Sequence, residues 1–382
     1  MHGPRVGVVT GLGINPFRYS GPVPVADLID RHAERQAIID LAWSGNNARL
    51  AAPRRYGKTS LLRAVLARAD VEGWTCVYVD FFGVLQLADI AQRIETAYAD
   101  QLTGRLSQWF TSLRRTLHPV ARLGGGPVPA SIQVSAAAAD GDPLLERLNL
   151  PRQLHERDGR QVLVAFDEFQ DVLAAGNADA IIRSQIQHHG DAASYIFAGS
   201  HVGMMEQLFA DKRRAFYAQA KPIPLPPLDP LDLGEFITER FAATGKTIAG
   251  ALGALLDTAA GHPQRAMLLA HTLWEMTPIG ETADEERWDA AFTQVLSDAV
   301  DEAKTIWTRL SAAERQVLTS IAEDQGGVYS KASRNPRGGS TTGALDSLVA
   351  ESEVVRDHTR RSGYRVVDPL LAEWLKSGRP SQ

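Results

Sequence analysis

The stretch "RLAAPRRYGKTSLLRAVL", Arg49 to Leu66, limits what this chain can fold into more than any other part of it. A short apolar run ends at Ala52. A helical pattern begins at Lys58, with Leu61, Leu62, Val65 and Leu66 on one face. Between them, Ala52, Pro53, Arg54, Arg55, Tyr56, Gly57, Lys58, Thr59 and Ser60 fit a phosphate-binding loop at all but one position. Ala52 stands where the first glycine is usual. The chemistry needs a strand that stops, a tight turn, and backbone N–H groups wrapped around phosphates at a helix N-terminus. Gly57 gives backbone access, Lys58 reaches the β- and γ-phosphates, and Thr59 offers a hydroxyl to Mg²⁺. The expected ligands are ATP and Mg²⁺. A second Gly-Lys-Thr, in "TGKT" at Thr244 to Thr247, follows a helical pattern instead of a strand, so Gly245 is expected as a helix C-cap.

A pair of acids adds to this. "QVLVAFDEFQDV" is an apolar strand pattern running into Asp167 and Glu168. In this chemistry the first acid holds Mg²⁺ and the second polarises the attacking water. A further strand pattern, "WTCVYVDFF", lies between the two motifs, the layout of additional-strand ATPases with a catalytic glutamate.

Strand patterns at "ARLAA", "WTCVYVDFF", "RQVLVAFD", "ASYIFAG" and "AKPIPLPPL" alternate with helical ones, which argues for an α/β fold with a parallel sheet. A hairpin or loop insertion is expected from Leu117 to Gly141. After Leu228 the strands are expected to stop, Asp232 to Asp301 reading as helix. The end reads helix, turn, helix and two short strands, a winged-helix pattern. The expected division is a lead-in over 1–24, a P-loop ATPase core over 25–228, a helical lid over 229–304 and a winged helix over 305–382.

Composition excludes several classes. A formal net charge of -5 argues against a surface that wraps nucleic acid throughout, without excluding a local basic patch. The lone Cys76 allows neither an intrachain disulfide nor a zinc knuckle, and it is expected as a buried, inert thiol. No run approaches the ~18 apolar residues of a membrane span, and the N-terminus lacks a signal-peptide pattern. A cytoplasmic protein without membrane contact is expected. His188 and His189 are adjacent, face differently on a helix and make a poor metal pair.

The segments "IDRHAERQAI", "APRRYGKTSLL", "LVAFDEFQDV", "IFAGSHVGMMEQLF" and "GHPQRAMLLAH" lie in order from Ile29 to His271. In this combination the chain resembles the archaeal-type P-loop ATPases of the AAA+/STAND superfamily. The resemblance implies that Arg31 and Glu34 pack beside the adenine, and that Ser200 senses the γ-phosphate or the attacking water. It implies that Gly261 and Pro263 form a lid signature with Pro263 on the nucleotide, and that Arg265 contacts phosphate. Arg213 and Arg214 are either an arginine finger acting on a neighbouring subunit or a solvated basic turn. Arg54 and Arg55 either face phosphate or point outward. The implied activity is Mg-dependent ATP hydrolysis driving a switch, with a nucleotide-dependent homo-oligomer and a protein partner as options.

In the C-terminal module, Ser311 and Glu314 are expected to form a capping box. Lys331, Arg334, Arg337, Arg356, Arg360, Arg361 and Arg365 gather in its loops, diluted by Glu351, Glu353 and Asp357. Such loops suit DNA phosphates. They leave open a nucleotide-sensing DNA-binding regulator with little hydrolysis.

Overall fold

The computed structural model describes residues 13–117, 143–324 and 341–377. The insertion expected after Leu117 lies outside the described residues, as do Lys331, Arg334 and Arg337.

Five strands form one parallel sheet: β1 (Ala48–Ala51), β2 (Thr75–Asp80), β3 (Val162–Asp167), β4 (Ala193–Gly199) and β5 (Lys221–Pro222), in the order β2-β3-β4-β1-β5. All five sit on expected strand patterns. Every residue of β3 and β4 is buried, as continuous apolar runs covered by helices on both faces require. The edge strand β2 alternates, with Val77 and Val79 inside and Tyr78 and Asp80 half-buried. Register places Asp80 opposite Asp167 and Ala51 opposite Gly199, so the chemistry-bearing residues leave the sheet along one edge.

One face of the sheet carries an aromatic core in which Phe197 lies 4.7 Å from Phe169 and 5.1 Å from Phe216. The other face carries Leu50, Leu61, Leu62, Val65 and Ile196, and this apolar face of the helix Lys58–Val71 fixes the phosphate loop to the sheet. Gly104–Leu117 adds a helix beyond the expected set.

Four helices follow, Pro230–Ala243, Gly250–Ala259, Pro263–Glu275 and Glu285–Asp298, around a core of their own. Phe17 of the lead-in enters that core, 5.4 Å from Phe241. Strands do not stop altogether here: Thr247–Ile248 pairs in parallel with Thr282–Ala283. The left-handed turn at Gly245 (φ 74°), just beyond the C-cap Thr244, redirects the chain into this short pairing. Lys246 is buried over the Trp274 ring and donates to the Trp274 carbonyl at 2.7 Å, so this second Gly-Lys-Thr is a packing feature.

The C-terminal module runs Val300–Arg309, Ala312–Ala322, Thr341–Ala350, an antiparallel hairpin of Val354–Arg356 with Tyr364–Val366, and Pro369–Lys376. This is the winged-helix order. Ser311 N–H donates to Glu314 at 2.7 Å and Glu314 N–H to Ser311 Oγ at 3.3 Å, closing the capping box. Cys76 is half-buried, not fully buried, and burial pushes its thiol up to about 12, so it stays protonated. His189 is buried against the Tyr195 hydroxyl, and desolvation lowers it to about 4. Among the described residues, no helix is long and apolar enough to cross a membrane.

Phe197→Ala empties the centre of the aromatic core and is expected to cost about 3–5 kcal/mol in urea unfolding. A loss under about 1 kcal/mol, the range of a surface substitution, would contradict this packing.

Candidate nucleotide-binding site

The phosphate loop is built as its composition demands. Gly57 caps the helix Lys58–Val71 with φ 85°, and Arg55 also takes a left-handed turn at φ 67°. Ala52 is not in the left-handed region and is 3% exposed, with its N–H on the Gly199 carbonyl at 3.3 Å. The missing glycine is therefore tolerated: this position continues the β1–β4 ladder and needs no positive φ. Lys58 folds back across the loop and donates to the carbonyls of Ala52 at 2.7 Å and Pro53 at 2.8 Å. Burial lowers its ammonium to about 8 against the opposing pull of Glu168 and Asp167. Ser60 accepts the Val23 N–H at 3.1 Å, which straps the lead-in across the loop.

At the strand ends Asp167 is 3% exposed, and its Oδ2 accepts from Thr59 Oγ1 at 2.7 Å and from Tyr78 at 2.8 Å. A hydroxyl and a carboxylate, both hard oxygen donors, fit Mg²⁺, which keeps several waters and takes phosphate oxygens besides. Among the described residues no group of three or more His, Cys, Asp or Glu is placed to hold a metal. Glu168 turns left-handed (φ 49°) straight after β3. Its Oε2 accepts from Ser200 Oγ at 2.6 Å, Ser200 N–H at 3.3 Å and Gln170 Nε2 at 2.7 Å. Burial alone would raise its pKa, but these bonds and Lys58 outweigh burial and lower it, so it is a carboxylate at neutral pH.

Above the loop is a cleft lined by lead-in residues such as Tyr19 and Pro24, by Ile29 and Arg31, and by Phe236 and Met267 from the helical segment. Arg54, Arg55, Tyr56, Gly57, Lys58, Thr59, Ser60, Glu168 and Pro263 line it too. Arg31 is buried, donating to Glu34 at 3.2 Å and to the Pro226 carbonyl at 2.7 Å. Gly261 sits at φ 71°, where an added Cβ would come within 2.6 Å of the Leu228 carbonyl.

Other expected residues lie elsewhere. Arg265 is buried in ion pairs with Asp368, through Nε at 3.0 Å, and with Glu302 at 2.9 Å, both outside the cleft lining. Arg55, which lines the cleft, also reaches Glu302 on the helix Val300–Arg309 at 2.7 Å. Arg213 is 89% exposed and paired with Asp211, while Arg214 reaches Asp179 at 3.4 Å; neither lines the cleft. The sequence reading missed Tyr78, Gln170, Glu302 and Asp368, and it placed Arg365 in a basic loop, whereas Arg365 lies on the strand Tyr364–Val366 and reaches Tyr56. Asp368 before Pro369 reads as a helix cap, which it is, but nothing in that spacing reveals its bond to Arg265.

The C-terminal module packs against the core at two places, one of them at the cleft residue Tyr56. Arg365 donates to the buried Tyr56 hydroxyl at 3.2 Å, and Ser352 Oγ accepts the Val202 N–H at 3.3 Å. Gly203 lies against Ala350, whose Cα would be 2.8 Å from an added Cβ.

No protein-family model matches this chain, and no curated protein matches it. Solved structures do. The Walker-type ATPase of Pyrococcus abyssi matches with a TM-score of 0.65 at 16% identity, over 92% of this chain and 96% of that one. The Aeropyrum pernix ORC2 protein, solved as ADPNP-ADP complexes, matches with a TM-score of 0.55 at 18% identity, over 92% and 93%. This chain has the fold of the AAA+ P-loop ATPases. At these identities the likeness shows the fold alone.

Asp167→Asn removes the charge that Thr59 and Tyr78 surround. It is expected to raise the Mg²⁺ concentration needed for nucleotide binding by about tenfold or more, read by titrating a fluorescent ATP analogue. An unchanged Mg²⁺ requirement would contradict the metal assignment.

Proposed function

We propose that this chain binds ATP with Mg²⁺, hydrolyses it, and uses the cycle as a molecular switch of the AAA+/STAND kind. One observation carries the reading. Thr59 with Asp167 and Ser200 with Glu168 are hydrogen-bonded pairs from three different strand ends, joined where the Glu168 N–H donates to Asp167 Oδ1 at 3.0 Å, and the Lys58 ammonium feels the charge of both acids beneath the cleft.

In this reading the triphosphate lies on the loop Ala52–Ser60, and Lys58 gives up its loop carbonyls to reach phosphate. Thr59 and Asp167 hold Mg²⁺, which would neutralise phosphate charge. Glu168 orients and polarises the attacking water, with Ser200 holding its carboxylate. Arg31 and Pro263 flank the nucleotide. The division into a core over 25–228, a helical lid over 229–304 and a winged helix over 305–382 goes with it. Arg265 is the joint: it pairs with Asp368 and Glu302 in the conformation described, and a phosphate competing for it would loosen the C-terminal module. Arg213, exposed on its turn, is the arginine that could serve a neighbouring copy, and Arg214 is the more restrained of the two.

The runner-up is a nucleotide-sensing DNA-binding regulator with little hydrolysis. It is favoured by the hairpin tip, where Arg356, Arg360 and Arg361 are all exposed. Arg365 does not join them, being tied to Asp357 and Tyr56.

The test is ATP turnover by the wild type, Lys58→Ala and Glu168→Gln, with and without single- and double-stranded DNA. The switch reading expects Lys58→Ala to lose nucleotide binding. It expects Glu168→Gln to bind ATP with turnover down by about a hundredfold or more. Normal turnover in Glu168→Gln would overturn the assignment of the base. Negligible wild-type turnover, with DNA affinity falling steeply with salt, would favour the regulator. Asp368→Asn, by freeing Arg265, is expected to tighten ATP binding several-fold in the same titration. Weaker binding would contradict the competition.

A further inference from the structure

Gln170 is 1% exposed and sits two residues beyond Glu168 on the short helix Phe169–Ala175. Its Nε2 donates to Glu168 Oε2 at 2.7 Å and to Asp171 Oδ1 at 2.9 Å. Both partners are carboxylates, which at neutral pH only accept. This fixes the orientation of the amide, with NH₂ toward the acids and Oε1 away from them. Oε1 is then buried with no hydrogen-bond partner. The space it occupies exists because residue 199 is glycine: a Cβ there would lie 2.4 Å from Oε1.

A buried carbonyl without a partner is a cost that packing does not require. An apolar side chain of the same length would fill the position without it. What the amide supplies in return is the second side-chain donor on Glu168 Oε2, on top of the Ser200 hydroxyl and N–H. Among the described residues every hydrogen bond to this carboxylate falls on Oε2. Oε1 is the oxygen left for a water in the cleft, which Glu168 lines.

We infer that Gln170 is a positioning residue for ATP hydrolysis: together with Ser200 it holds Oε2 of Glu168, so that Oε1 is presented to the attacking water. The inference rests on the hydrolytic reading above. Gln170 is not among the residues lining the cleft, and in this proposal it acts only through Glu168, which is. With the clamp gone, the carboxylate swings on the Ser200 bonds alone, and the cost falls on orientation and not on nucleotide binding.

The experiment compares wild type, Gln170→Met, Glu168→Gln and the double variant. The readouts are steady-state ATP turnover, affinity for a fluorescent ATP analogue, and thermal melting. Methionine keeps the length and removes the unpartnered carbonyl. The expected result for Gln170→Met is a kcat about tenfold to a hundredfold lower, affinity unchanged within about twofold, and a melting temperature no lower than wild type. In the Glu168→Gln background the same substitution is expected to leave the residual turnover unchanged, because the group it positions is already gone.

A kcat at the wild-type level in Gln170→Met overturns the inference while leaving the hydrolytic reading intact. A further drop in the double variant, or a kcat loss that follows a lowered melting temperature, makes Gln170 a packing residue and also overturns it. No turnover by the wild type overturns the hydrolytic reading, and this inference with it.

Discussion

Parallel strands in one sheet all point the same way, and everything at the candidate site depends on that. The phosphate loop follows β1, Asp167 and Glu168 close β3, and Ser200 follows β4, so three segments far apart in sequence leave the sheet at one edge. The β2–β3 register adds Tyr78 from the edge strand, two residues short of the Asp80–Asp167 pair. Carboxylates and hydroxyls brought together this way would be costly to bury unpaired, and each finds a partner in another element. The sheet is rigid because β3 and β4 are buried on both faces. The polar cluster inherits that rigidity, as a site built on strand ends should.

The described conformation has a loop that is satisfied by itself. Lys58 bonds to its own loop carbonyls, Thr59 to Asp167, and Glu168 to Ser200 and Gln170. Phosphate and Mg²⁺ would compete for the partners of the first two sets of bonds. The third set holds the carboxylate in place in either case. At Ala52 the backbone stays out of the left-handed region, so a side chain is sterically allowed there.

What could be read from the sequence follows from how local each signal is. The strand at "QVLVAFD", the loop at Gly57 to Thr59 and the capping box at Ser311 are carried by neighbouring residues, and those signals survive folding. The parallel pairing of Thr247–Ile248 with Thr282–Ala283 is too short to leave a period. Arg265 shows the harder limit. Its place in "GHPQR" suggests phosphate, but the chain folds Asp368, 103 residues away, onto it. Tyr78 is similar: it reads as a strand residue until the β2–β3 register brings it to Asp167, while Gln170 reads as part of a turn although its partner Glu168 is only two residues away.

The C-terminal module is the part of this account that links nucleotide chemistry to anything else. It grips the loop through Arg365 and Tyr56, the end of β4 through Ser352 and Val202, and the helical segment through Asp368 and Arg265. Hydrogen exchange with and without a non-hydrolysable ATP analogue tests that link most directly, read at the Val202 amide and across Ser352 to Asp368. This account predicts faster exchange there when nucleotide is bound, as the module loosens from these contacts. Unchanged or slower exchange, with nucleotide bound to the loop, would contradict it.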